Sequence, residues 1–408
     1  MKCGLLGRKL SHSYSPQIHS MLGDYSYSLF EKEPEEIGDF LKNGDFTGIN
    51  VTIPYKTVVI AWLDALSPAA QKMGAVNTIV RRADGTLFGH NTDYFGFASM
   101  VNRSGMALNE KKVLVLGSGG ASNTAVSVLK ELGAEVLVVS RSGEINYSNL
   151  RAHADASVIV NATPVGMYPN NSQSPVDLSL FPRLEGVLDL IYNPARPQLV
   201  LDAEKRGIAA ENGLWMLVAQ AKEAAEYFTG SQISNDVIGH IHGILSGQMQ
   251  NLVLVGMPGC GKSTIGRLLA EKTGKQFADA DEVIISMAGK TIPEIFAQDG
   301  EAVFREWETK ALAQLGKQSS LVIATGGGCV TRERNYPLLH QNGTIIWLKR
   351  DLDLLPTEGR PLSQANALSD LYRQREPMYA SFADHTIANA GHPEETVAAI
   401  LSLTEESV

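Results

Sequence analysis

Short β-branched runs recur along this chain, and most lead into a stretch with helical spacing of apolar positions. That alternation predicts an α/β protein with parallel sheets. Residues 112–116 read as a strand running into Gly117-Ser118-Gly119-Gly120-Ala121, with a helical pattern over 124–132 and a second strand over 135–140. Residues 251–255 run in the same way into Gly256-Met257-Pro258-Gly259-Cys260-Gly261-Lys262-Ser263, with a helix through about Thr273. Both turns bring backbone N–H groups and a helix N-terminus to a point where phosphate would sit. Strands over 157–161 and 187–192 and a helix over 214–228, ending at Gly230, continue the first alternation. Residues 233–245 read as a further helix, and Ser246-Gly247-Gln248-Met249-Gln250 has no apolar period and reads as a linker. The run before Lys111 also alternates but holds no phosphate loop, which predicts a separate lobe. The expected organisation is a lobe at 1–97 completed by a helix at about 231–246, a nucleotide domain at 98–230, a linker at 247–250 and a second nucleotide domain at 251–408.

Length agrees with several packed units, since 408 residues exceed the roughly 150 of one domain. With 44% hydrophobic and 19% charged residues, the composition excludes collagen-like, coiled-coil and wholly disordered chains. A net charge of −9 gives no general attraction to nucleic acid or anionic lipid, so neither is expected as a partner and an anionic ligand needs a local site. Cys3, Cys260 and Cys329 are too scattered for a disulfide framework. The first sixteen residues carry no signal-like apolar core, and no run is long enough for a membrane helix, so a cytoplasmic protein is expected. His12, His90, His240 and His242 lack metal-ligand spacing.

In the first half, the glycines of 117–120 let backbone approach a pyrophosphate, although Ser122 stands where the usual pattern has a third glycine. The second strand ends in Ser140-Arg141-Ser142, where an acid would suit NAD. Arg141 instead suits a 2′-phosphate and favours NADP, the plainer alternative being a solvated turn arginine. Upstream lie Ser11-His12-Ser13-Tyr14-Ser15-Pro16, Asn50-Val51-Thr52-Ile53-Pro54-Tyr55-Lys56, Gly74-Ala75-Val76-Asn77-Thr78 and Gly89-His90-Asn91-Thr92-Asp93. Downstream lie Asn161-Ala162-Thr163-Pro164-Val165-Gly166-Met167, Asp189-Leu190-Ile191-Tyr192-Asn193-Pro194 and Asn212-Gly213-Leu214-Trp215-Met216-Leu217-Val218-Ala219-Gln220.

In this order these motifs resemble shikimate dehydrogenase over nearly all of residues 1–245. The resemblance implies a substrate lobe followed by a Rossmann-like NADP domain. It implies that Ser13, Ser15, Asn50, Thr52, Asn77, Tyr192 and Gln220 hold the substrate. Lys56 then supplies the proton to the reacting carbonyl, with Asp93 as its partner, and Thr163 and Gly213 join the 117–121 loop and residues 140–142 at the cofactor. The chain departs from the family at Asn123, near which an arginine is common, and at Gly143-Glu144-Ile145, where a second basic residue is common.

In the second half, the octet 256–263 satisfies the P-loop pattern. Its N–H groups are expected to cradle the β-phosphate, with Lys262 on the β and γ oxygens, Ser263 on Mg2+ and Thr264 adjoining. Asp279-Ala280-Asp281, Phe304-Arg305, Gly326-Gly327-Gly328, Gly359-Arg360-Pro361-Leu362 and Arg375-Glu376-Pro377-Met378-Tyr379 follow. In this order and spacing they look like shikimate kinase. That resemblance implies that Arg305 and Arg375 bind the substrate carboxylate, Gly328 lets backbone come close and Asp281 holds the accepting hydroxyl. It further implies that Asp279 helps to place Mg2+ and that Arg360 sits in a lid. The lid stretch Leu354-Leu355-Pro356-Thr357-Glu358 is short and lacks an additional arginine common in the family.

The two resemblances together imply a bifunctional enzyme of aromatic amino acid biosynthesis with NADPH, ATP and Mg2+ as cofactors. It would reduce 3-dehydroshikimate to shikimate and then phosphorylate shikimate. Quinate or another cyclic polyol for the first half, gluconate for the second, and a decayed kinase half that senses nucleotide remain open alternatives.

Overall fold

The β-branched runs form three separate sheets in the computed structural model, which describes residues 1–10, 13–355 and 365–406. The chain divides into two units, Met1–His242 and Gly243–Val408.

The first unit holds two sheets. One is six-stranded and mixed, in the order Ser26–Glu31, Lys2–Gly7, Gly48–Val51, Thr78–Arg81, Leu87–His90 and Ala65–Leu66. The other is five-stranded and parallel, in the order Ala209–Glu211, Gly186–Asp189, Val158–Asn161, Lys112–Leu116 and Glu135–Val139. Its chain starts on Lys112–Leu116, steps to one side, then returns across to the other. The strand order therefore reverses at the first strand, and a crevice opens at its carboxyl end where the glycine turn lies. Strands covered on both faces read as continuous apolar runs, and Val113, Leu114, Val115 and Leu116 are all buried. The helix Leu214–Thr229 packs on Asp93–Ser104 and on Ser15–Leu22, and its Ala224 and Phe228 meet Cys3 of the first sheet. It thereby carries Gln220 to the seam between the two lobes.

The second unit has a five-stranded parallel sheet in the order Gln276–Asp279, Leu321–Ala324, Asn251–Val255, Gly343–Lys349 and His385–Ala388. Its central strand is fully buried and leads directly into the second glycine loop. The fold is thus a two-lobed α/β unit with a Rossmann-like domain, followed by a P-loop domain.

Three expectations about local structure are corrected. The helix after the first glycine turn begins at Gly120 rather than 124, because Gly119 caps it and the turn feeds straight into it. The strand expected over 187–192 stops at Asp189, whose carboxylate accepts the Ile191 N–H at 3.0 Å and turns the chain. The expected linker is helical through Met249, the end of helix Asp236–Met249. Lys275 receives its free carbonyls, donating to Gly247 O at 2.7 Å and Gln250 O at 2.8 Å. Such a cap comes from outside the segment and leaves no trace in its apolar period. Among the described residues no helix is long and apolar enough to cross a membrane.

Candidate active sites

In the first lobe, adjacent strand ends bring the polar motifs together. Asn50 faces Thr78 across an antiparallel pair, and Asn77 lies beside His90 and Thr92. The Lys56 carbonyl accepts the Val76 N–H at 2.7 Å, so the lysine backbone is fixed next to Asn77. Lys56 Nζ reaches Asp93 Oδ2 at 2.5 Å, and Asn77 Nδ2 donates to Asp93 Oδ1 at 2.9 Å. Asp93 opens the helix Asp93–Ser104, where the macrodipole favours negative charge. The lysine is therefore paired while its side chain keeps 30% exposure, partly dry yet open to a ligand.

A chain of hydrogen bonds links the other expected substrate residues. Ser13 Oγ accepts the Ser15 N–H at 3.2 Å, and the Ser15 and Tyr27 side chains are hydrogen-bonded. Tyr27 OH donates to Asn50 Oδ1 at 2.7 Å, Asn50 Nδ2 donates to Thr78 Oγ1 at 3.1 Å, and Thr78 donates to Asn77 Oδ1 at 3.1 Å. Thr92 Oγ1 lies 3.5 Å from Gln220 Oε1. Thr52 follows the strand Gly48–Val51, its N–H on Leu6 O. Tyr192 stacks edge-on against Tyr14, 6.2 Å between ring centres. Tyr27, Thr78 and Thr92 were not among the expected site residues. Tyr27, near the start of the strand Ser26–Glu31, gives a signal that also fits ordinary core, and Thr78 and Thr92 adjoin motif residues.

At the first glycine turn, Gly117 adopts φ +109° and a Cβ there would lie 3.1 Å from Ala162 O. A Cβ on Gly119 or Gly120 would meet nothing within 4 Å, so the backbone here forms an open floor. Ser122, in place of the third glycine, donates to Gly117 O at 2.7 Å and closes the turn from within. Ser118, Ala121, Arg141 and Ser142 are exposed around this floor, while Ser140 is half-buried against Gly143. Gly213 packs so closely that a Cβ would fall 2.2 Å from Leu190 O.

Asn161 and Asp189 end adjacent strands and hold the loops beyond them. Asn161 Nδ2 donates to both Asp189 oxygens at 3.0 and 3.1 Å, and its Oδ1 accepts the Thr163 hydroxyl at 2.7 Å. Burial pushes the Asp189 carboxyl up to about 7, against the opposing pull of the Ile191 N–H and Asn161. The folded chain thus keeps a proton that the unfolded chain loses near pH 4. That contribution to stability is complete below pH 4 and is lost as pH rises to about 7. Asp189→Asn is expected to gain melting temperature relative to the parent between pH 5 and pH 8, by a few degrees on the usual scale. Melting curves with the same difference at both pH values would refute this.

In the second unit, positive φ at Gly256, Gly259 and Gly261 shapes the loop. Met257 and Cys260 turn their side chains into the core, and the Cys260 N–H is donated to Met257 O at 3.2 Å. Lys262 is buried with Nζ on Gly256 O at 2.9 Å and Met257 O at 3.0 Å. Ser263 Oγ donates to Asp279 Oδ2 at 2.8 Å, while Asp279 Oδ1 caps the helix Ala280–Ala288 through the Asp281 N–H. Ser263 and Asp279 are hard oxygen donors side by side, which suits Mg2+, an ion that keeps several waters and needs few protein ligands.

A cleft of about 720 Å3 joins these groups. Its lining includes Pro258, Gly259 and Lys262–Thr264 from the loop, together with Asp281, Arg305, Gly326–Gly328 and Arg375 on the acceptor side. Gly328 lies close against Arg305, since a Cβ there would fall 2.3 Å from both Arg305 Nη atoms. Arg375 donates to Gly327 O at 3.1 Å. Arg305 is already engaged: Glu308 takes Nη1 with both oxygens at 2.9 and 3.0 Å, and Glu301 takes Nη2 at 3.1 Å. Its guanidinium is held rigidly at the cleft wall, with part of its donor capacity already used. Glu308, fully buried, was not among the expected site residues, although its spacing from Arg305 is that of a helical ion pair. Arg360 lies outside the described residues.

Family models match the shikimate dehydrogenase substrate binding domain over residues 5–79 and shikimate kinase over residues 258–405. A shikimate dehydrogenase (NADP(+)) of Clostridium beijerinckii is 33% identical over 267 residues, 60% of this chain and 98% of the relative. The solved shikimate dehydrogenase 1 of Peptoclostridium difficile is 38% identical with a TM-score of 0.55, covering 60% of this chain and 97% of that one. The Thermus thermophilus enzyme, solved with NADP(H) and shikimate, is 31% identical with a TM-score of 0.54, over 59% and 98%. With the Lys56–Asp93–Asn77 cluster beside a Rossmann-like sheet and a P-loop cleft in the second unit, the chain belongs to the shikimate dehydrogenase family and carries a shikimate kinase domain behind it.

Proposed function

We propose that the chain reduces 3-dehydroshikimate to shikimate and then phosphorylates shikimate, each reaction in its own unit. The observation that carries the second half is the single cleft in which the P-loop, Asp281, Arg305 and Arg375 face one space. A decayed nucleotide sensor would have no need of that acceptor wall.

In the dehydrogenase, NADPH when bound supplies the hydride for the carbonyl carbon. Asn50, Asn77, Ser13 and Ser15 offer amide and hydroxyl groups to a polyhydroxylated acid, with orientations set by their mutual hydrogen bonds. Lys56 gives its proton to the carbonyl oxygen, and Asp93 orients the ammonium. The exposed Arg141 is the group on this rim suited to a 2′-phosphate. Arg141→Ala is expected to raise the KM for NADPH about tenfold or more and to leave that for NADH nearly unchanged. Equal losses for the two would place the 2′-phosphate elsewhere.

In the kinase, Mg2+ when bound neutralises phosphate charge, and Ser263 and Asp279 are the residues that would hold it. Lys262 leaves the loop carbonyls for phosphate oxygens. Arg375 and the remaining capacity of Arg305 take the substrate carboxylate, and Asp281 accepts the hydroxyl proton. Purified protein given shikimate, ATP and Mg2+ should release ADP and form shikimate 3-phosphate. Nucleotide binding without turnover would instead favour the sensor reading.

A further inference from the structure

Apart from Arg375, on the helix Ala365–Phe382, the acceptor residues of the kinase cleft arise on one side of the sheet. Asp279 and Asp281 follow the edge strand Gln276–Asp279, and Gly326–Gly328 follow Leu321–Ala324. In-line transfer places the entering and leaving oxygens on opposite sides of the phosphorus. The rest of the nucleotide must therefore run from the loop toward the two strands on the other side, Gly343–Lys349 and His385–Ala388. Lys349 pairs with Ala388, so the residues immediately beyond, Arg350 and Asn389, emerge together at the same edge. A Cβ on Gly261 would lie 2.7 Å from Asn389 Nδ2 and 3.9 Å from Arg350 Nη1, so both side chains border the phosphate turn.

They differ in one respect. Asn389 is engaged at both ends of its amide, donating to Cys260 O at 2.6 Å and accepting the Thr396 hydroxyl at 2.9 Å. Arg350 Nε is buried and has no hydrogen-bond partner among the described residues. A buried donor on a cation is costly to leave unmatched, and an anion arriving at the turn would match it.

We propose that Arg350 is a nucleotide-phosphate ligand, its guanidinium pairing with the phosphate chain on the side away from the acceptor. The inference rests on the kinase reading above, and it names a cation outside the glycine loop and outside the lid stretch. Three proteins test it, the parent, Arg350→Gln and Arg350→Lys, with melting temperature measured without nucleotide, ADP titrated by calorimetry, and kinase kinetics with ATP and GTP. Arg350→Gln should weaken ADP and raise the KM for ATP about tenfold or more, with kcat and the KM for shikimate little changed and the melting temperature kept. Arg350→Lys should recover most of the loss, because a point charge still serves phosphate. GTP, if accepted, should suffer as ATP does, since the contact is to phosphate. Unchanged ADP affinity in Arg350→Gln overturns the proposal, and so does a loss that the lysine variant does not recover. If the parent protein itself binds no ADP, the kinase reading falls and this inference with it.

Discussion

Lys56→Ala is expected to lower kcat for 3-dehydroshikimate reduction by about a hundredfold or more, with phosphorylation of added shikimate by the same preparation intact. The argument is geometric. Lys56 is the cation of a cluster whose other members, Asp93 and Asn77, are an acceptor-only carboxylate and an amide already bonded to it. Among these three only the lysine can release a proton to a carbonyl oxygen. Its backbone is pinned by the Val76 N–H, so truncation removes the ammonium and leaves the surrounding strand ends in place. The loss should therefore fall on kcat, with a smaller change in the KM for the substrate. Steady-state NADPH oxidation checks this, and unimpaired turnover in the variant would remove Lys56 from the chemistry.

Asp281→Asn is expected to reduce phosphoryl transfer by about a hundredfold to ten-thousandfold while ADP still binds. Asparagine keeps the size of the side chain, and the Asp281 N–H remains on Asp279, so the helix cap and the metal-facing carboxylate persist. What disappears is the carboxylate that lines the cleft together with the P-loop. Rapid-quench formation of shikimate 3-phosphate, set beside calorimetric ADP titration, separates the two effects. Transfer at the parent's rate would show that the accepting hydroxyl needs no base there.

Much of the fold could be read from the chain because parallel strands buried on both faces leave uninterrupted apolar runs. The two glycine turns could be read because positive φ and close backbone approach demand glycine at Gly117, Gly256 and Gly261. The helix extending to Met249 could not, since Lys275 caps it from a distant turn. The same limit governs the sites. Lys56, Asn77 and Asp93 stand in motifs whose joint order resembles the family, and that resemblance implied their shared chemistry. Tyr27 and Glu308 instead act through contacts made across the fold, Tyr27 bridging Ser15 to Asn50 and Glu308 holding Arg305 against Gly328. A tyrosine on a strand and a glutamate on a charged helix are ordinary in sequence. Arg350 is similar: strand pairing, Val255 with Trp347 and Lys349 with Ala388, brings it to the phosphate turn.

The account is tested most directly by following NADPH oxidation and ADP release together after 3-dehydroshikimate, ATP and Mg2+ are added to the purified chain. It predicts that ADP release starts once shikimate has formed and approaches one equivalent per NADPH consumed. NADPH oxidation with no ADP release, or ADP release that does not depend on prior reduction, would contradict it.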